Sequence, residues 1–188
     1  MKKASRRSFM AYLQIVRVVL TLMPQTVFAM PAAAPSAVLS QGDAALSEAL
    51  TLIGTGQWQA ALAKLTVAQQ FYHNIGDPKN ESTAWRYIGL AKFSSGDNLG
   101  AVEAYKASLA LAQRVGDGEQ TANVEVGLGR VYLATNQNDL ALQNFQAALD
   151  IAQKFNNVDL LGQSQQGIAR VYLAQKQYDQ ALKTYQAA

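Results

Sequence analysis

The stretch VEVGLGRVYLATNQ, residues 124–137, sets Gly127 and Gly129 one residue apart, directly ahead of Arg130. These are residue types with which a tight turn can cradle a phosphate. Such a loop gathers converging backbone amides, so it follows a buried strand, opens a helix and occurs once. Forty residues on, however, the chain runs QQGIARVYLAQKQ, with Ala169 in the place of Gly129. The duplication predicts that Gly127 lies within a helix and that Gly129, like Gly89 before it, lets two helices approach closely. Arg130 is then the residue of this stretch that keeps a functional role.

The remaining supply of reactive groups is thin. The sequence has one histidine, His73, and no cysteine, so the common zinc and copper sites lack ligands. His73 follows Tyr72 near the end of a predicted helix, a place for a solvated or dipole-satisfying imidazole. The acids of Gly76-Asp77-Pro78 and Gly116-Asp117-Gly118-Glu119 fall at turns, where Asp and Gly serve local geometry. Neither turn sets oxygen ligands at alternate positions, as a calcium loop requires. No catalytic residue, cofactor or metal is expected, and the protein is not expected to be an enzyme.

Charge points the same way once the N-terminus is treated separately. Residues 1–29 hold five of the 16 basic residues and none of the 13 acidic ones, followed by an apolar run from Val18 and Val27-Phe28-Ala29. That is the layout of an export signal with a small-residue cleavage site. Ser5-Arg6-Arg7-Ser8-Phe9-Met10 resembles the twin-arginine motif but departs from its last positions, which favours a plain secretory signal. Gln14 and Arg17 leave no clean apolar run of membrane-spanning length. Without the signal the remainder has a net charge of about −2, so the basic balance does not survive into the mature protein and nucleic acid is not an expected partner. Export to a periplasm, an equivalent lumen or the outside is expected, with the membrane met only through the signal. Residues 30–43 are expected to form a flexible lead.

The elements that must position Arg130 follow from a repeat of forty residues. Rows starting at Gln41, Glu81, Thr121 and Leu161 align without a gap: Ala61, Ala101, Ala141 and Ala181 share a column, as do Leu65, Tyr105, Phe145 and Tyr185. In the second half of a row apolar residues recur at i, i+1, i+4, i+7, i+8 and i+11, one stripe of a helix. Leu128, Gly129 and Tyr132 do the same more briefly in the first half. Each row is thus predicted to be a helical hairpin of about eleven and then eighteen residues. Polar turns at 94–98, 135–139 and 175–179 separate the two helices, and glycine stops at 75–77 and 115–117 close the second.

These columns resemble the tetratricopeptide repeat: Trp85, Ile88, Gly89, Ala101, Tyr105 and Ser108 in the second row, and Leu128, Gly129, Tyr132, Ala141, Phe145 and Ala148 in the third. The forty-residue period is similar to that of scaffold and cargo-adaptor members. The resemblance covers residues 44–188 and implies an all-α, right-handed α-solenoid of antiparallel helix hairpins, with Trp85, Tyr132, Tyr172, Tyr105 and Phe145 as core. It also implies that the first helices line a concave groove for a protein partner's peptide-like segment. Three columns transfer to that lining: Thr83, Asn123 and Gln163; Arg86, Val126 and Gln166; Leu90, Arg130 and Arg170. Their spacing of three and four puts them on one helical face. The arginines suit an acidic segment or a C-terminus. The set does not reproduce the Lys/Asn pattern of the carboxylate-clamp subfamily.

The first row, with Leu46, Ala49 and Leu50, is expected to be a degenerate cap, and the last row stops at Ala188 without a polar capping helix. Two further expectations follow from that end. The sequence could be the sensor portion of a longer protein, since in bacteria such arrays often precede a caspase-like peptidase domain, or its open end could support homo-oligomerisation.

Overall fold

The structure, a computed structural model, describes residues 35–186; the expected export signal and the first residues of the expected lead lie outside them. The described residues form eight α-helices: α1 Pro35–Gly54, α2 Trp58–Asn74, α3 Pro78–Ser94, α4 Asn98–Arg114, α5 Gly118–Ala134, α6 Asn138–Phe155, α7 Val158–Ala174 and α8 Tyr178–Gln186. No strand occurs among them.

The turns explain the regularity. Left-handed backbone recurs every twenty residues, at Gly56, Gly76, Gly96, Gly116, Asn136, Asn156 and Lys176. At Gly76 the amide of Gly76 bonds His73 O at 3.1 Å and that of Asp77 bonds Tyr72 O at 2.9 Å, the paired bonds that satisfy a helix's last carbonyls. The next residue then starts a helix: Asp77, Asp97, Asp117 and Asn157 each accept an N–H of the first turn, from Asn80, Gly100, Gln120 and Leu160. At these four turns one left-handed residue followed by one capping side chain ends one helix and begins the next, whereas Gln57 and Gln137 start their helices without a side-chain cap.

Two expectations on element length are corrected. The first helices are 17 residues long in α3, α5 and α7, not eleven. Their extra turns carry buried polar residues, Glu81, Ser82, Gln120, Thr121 and Ser164, which interrupt the apolar stripe without interrupting the helix. Residues 35–43, expected in the flexible lead, are helical in α1. This stretch is held by its partner: Tyr72 Oη donates to Asp43 at 2.6 Å, and Gly42 is buried against Phe71 and Tyr72.

From α2 to α8 each helix packs on its neighbours in sequence, and α1 packs on α2 through Ala45, Ala49, Leu65 and Tyr72. The interior is built from small columns, Ala61, Ala101, Ala141 and Ala181 among them, that let helix axes approach, with one large residue per pair set between: Leu65, Tyr105 and Phe145. Trp85, Tyr132 and Tyr172 are half-buried and pack onto these clusters. Most buried polar side chains are paired, Asn138 Oδ1 being the fully buried exception among the described residues. The Glu81 carboxylate takes Gln69 Nε2 at 3.0 Å and His73 Nδ1 at 3.1 Å, joining α2 to α3. Ser82 and Ser108 each donate to the other's carbonyl, at 2.9 and 2.7 Å, joining α3 to α4. Such reciprocal bonds remove the penalty of burying two hydroxyls.

Candidate functional site

Among the described residues the first helices α3, α5 and α7 touch in succession, α3 with α5 and α5 with α7, whereas no comparable contact joins α4 to α6. The first helices therefore form the tighter, inner layer of the array, and their outward-facing residues line its concave side.

The nine residues expected on that side do not share one environment. Thr83 and Asn123 are half-buried and bond back to their own helix, Thr83 Oγ1 to Lys79 O at 3.2 Å and Asn123 Nδ2 to Glu119 O at 3.0 Å. Leu90 is half-buried, while Gln163, Arg130, Gln166 and Arg170 are exposed. Val126 is a correction. It is only 3% exposed and belongs to a core cluster with Phe145 and Ile168, so it cannot line the groove. Its column turns into the seam between successive first helices. Arg86, one row earlier, is half-buried there and donates from Nε to Gln120 Oε1 at 3.1 Å.

The arginines are held by amides, not by acids. Arg130 Nη2 donates to Gln163 Oε1 on the following helix at 3.1 Å. Arg86 reaches across to α5 and also lies 4.1 Å from the centre of the Tyr87 ring. The ion pairs of the described residues, Lys64–Glu48, His73–Glu81, Lys79–Asp117 and Lys92–Asp97, involve none of the three arginines. A neutral acceptor orients a guanidinium without cancelling its charge, which leaves it able to take an anion from outside. The residue that sequence reasoning missed is Gln120: it aligns with Asn80 and Leu160, so its column carries no common chemistry.

Other surfaces are differently made. An apolar cleft of about 430 Å³ lies between α2 and α4, lined by Leu62, Trp85, Ile88 and Ala104 among others, on the side of the second helices. No group of three or more metal-ligating side chains occurs among the described residues. None of the described helices is long and apolar enough to cross a membrane. His73 is 68% exposed at its side chain, at the helix end where it was expected.

Comparison with known proteins agrees with this architecture. A tetratricopeptide-repeat family model matches residues 80–154 and 137–188. No curated protein matches the sequence significantly. Among solved structures the protein is similar to BtubC (BKLC) from P. vanneervenii, with a TM-score of 0.70 at 19% identity over 78% of this chain and 61% of that one. It is similar to the apo form of RapI, with a TM-score of 0.72 at 14% identity over 80% of this chain and 42% of that one. It also resembles nearly identical TPR-like repeats from Podosopora anserina, with a TM-score of 0.63 at 20% identity over 85% and 76% of the two chains. At these identities the likeness is one of fold. The sequence spans less than two thirds of the length of the first two. The helix hairpins, the forty-residue spacing of their joints and the two overlapping family matches show that this protein belongs to the tetratricopeptide-repeat family, whose arrays are scaffolds for protein–protein interaction.

Proposed function

We propose that the array is a non-catalytic, exported scaffold that holds an extended segment of a protein partner along the inner face of α3, α5 and α7. The observation that carries this is the row Arg86, Arg130 and Arg170. Two of these guanidinium groups are steadied by neutral glutamines, and none is spent on a carboxylate among the described residues. An acidic segment or a C-terminal carboxylate complements such a row through charge-assisted bonds. The open hairpin stack suits a peptide better than a small molecule. Partner capture with the exported protein, repeated with Arg86, Arg130 and Arg170 changed to Glu, tests it. Recovery should collapse in the triple variant, and unchanged recovery rules the groove out. N-terminal sequencing of the secreted protein should begin at Met30.

A second reading, self-association through α8, is favoured by the exposure of Leu182 and Tyr185, at 60% and 40%. Their counterparts Leu142 and Phe145 are covered in the core cluster shared with α7. Sedimentation at several concentrations decides it, because a concentration-independent monomer excludes it.

A further inference from the structure

Tyr105 projects from α4 into the seam between α3 and α5, where two glycines leave bare backbone beside its ring. A Cβ on Gly89 would fall 2.8 Å from Tyr105 Cδ1, and one on Gly127 2.6 Å from Tyr105 Cζ. The second contact is at the hydroxyl-bearing end, so the ring lies between the two first helices with that end against α5. A side chain at either position would close the passage. The ring itself is buried, with 3% exposure. Among the described residues, Asn138 Oδ1 alone is a fully buried side-chain oxygen or nitrogen without a partner. The Tyr105 hydroxyl also has no hydrogen-bond partner among the described residues, yet is not such a fully buried atom.

Cations flank the glycines that hold this ring. Arg86 stands one turn before Gly89 on α3, and Arg130 one turn after Gly127 on α5. Burial pushes the Tyr105 pKa up to about 12, and the charges of Arg86 and Arg130 both act to lower it. Each guanidinium is oriented by a single glutamine oxygen, Arg86 by Gln120 and Arg130 by Gln163, which leaves further N–H groups free. The neighbouring seams lack this combination. In one, Tyr87 replaces the glycine and Leu65 the aromatic; in the other, Phe145 between Gly129 and Gly167 carries no hydroxyl.

We propose that Tyr105 Oη, Arg86 and Arg130 form a carboxylate-binding subsite between α3 and α5, which receives an acidic side chain or the C-terminus of the bound segment. The subsite rests on the groove reading above and adds to it a residue from the layer of second helices. One hydroxyl donor between two planar guanidinium forks matches the in-plane lone pairs of a carboxylate.

The test uses the exported protein and its Tyr105→Phe variant. Phenylalanine already fills the equivalent slot at Phe145, so the variant should keep its helicity and melting temperature. N-acetyl-aspartate methylamide and N-acetyl-glycine, which offer a side-chain and a terminal carboxylate, are titrated while the Nε–H resonances of Arg86 and Arg130 are followed by NMR. Saturable shifts of both resonances, weakened about tenfold in Tyr105→Phe and lost in Arg130→Glu, are expected, and the better ligand identifies the source of the carboxylate. Equal affinity in wild type and Tyr105→Phe overturns the subsite, as does tighter binding of inorganic phosphate than of either carboxylate. The two proposals fail separately. Successful partner capture alongside identical titrations of wild type and Tyr105→Phe removes the subsite alone, whereas a saturable, hydroxyl-dependent titration without partner capture removes the groove reading alone.

Discussion

The ring of Phe145 is held between α5 and α7 by two glycines, and replacing one of them measures how rigid that seam is. A Cβ added to Gly129 would lie 2.8 Å from Phe145 Cε1 and 2.9 Å from Cδ1 and Cζ. Ordinary contact begins near 3.4 Å, so the ring would have to retreat by about 0.6 Å. It cannot retreat freely, because Gly167 faces it on the other side at still closer approach. Gly129→Ala therefore sets two effects against each other. Helix propensity favours alanine by about 1 kcal/mol, while forcing an extra methyl into a packed core costs about 1–3 kcal/mol. The clamp from both sides puts the cost near its upper end, so the net loss is about 1–2 kcal/mol, or a fall in Tm of about 2–8 °C. Gly162→Ala on α7 is the control: nothing lies within 4 Å of its Cβ position, so it should gain up to about 1 kcal/mol. The pair Ala49 and Leu65 fills the same two columns in the first row, so Phe145→Leu should partly rescue Gly129→Ala, with a double-mutant coupling of about 1 kcal/mol. Thermal and urea unfolding of the four variants settle this. A Gly129→Ala protein as stable as wild type would show that the ring has room to move, and the account of the seams would fail.

Three further outcomes are expected. Lys176 holds φ of 61° at the position where four earlier turns have glycine, so Lys176→Gly should raise stability by about 0.5–1 kcal/mol in thermal unfolding. Ser82→Ala should cost about 1–2 kcal/mol by leaving Ser108 half-paired. The double change Ser82→Ala with Ser108→Ala should come out nearly neutral, since the third row carries Ala122 and Ala148 in those columns, and urea midpoints of the three proteins check this. Glu125 is half-buried and desolvation raises its pKa above the ordinary 4.5. A raised carboxyl pKa means that the folded state holds the proton longer, so stability is lost as pH rises through 4.5 toward the folded value. Glu125→Gln, the residue type found at Gln165 in the same column, should therefore stabilise at pH 7, with the gain vanishing at pH 4 and below in pH-dependent melts.

How much of this was legible in the sequence depends on which kind of neighbour a residue has. Spacing along one helix is written in the sequence itself, so the hairpins, their turns at 75–77, 94–98 and 115–117 and the core columns could be placed from periodicity alone. The first helices came out too short because Ser82, Gln120 and Ser164 are polar yet buried, and a hydrophobic period counts them as an end. Spacing between helices is not written in any single period. Thr83, Arg86 and Leu90 share a helical face, but where that face meets α5 is set by the angle between hairpins. The meeting line passes through the middle column, burying Val126 and tying Arg86 to Gln120. The same gap hid Tyr105. Its ring needs Gly89 from its own row and Gly127 from the next, and these occupy different columns, the second aligned with Tyr87. The two glycines acquire a common purpose only when one row is laid against the next, which makes the seam between first helices, rather than the face of any one of them, the unit in which this array's packing is composed.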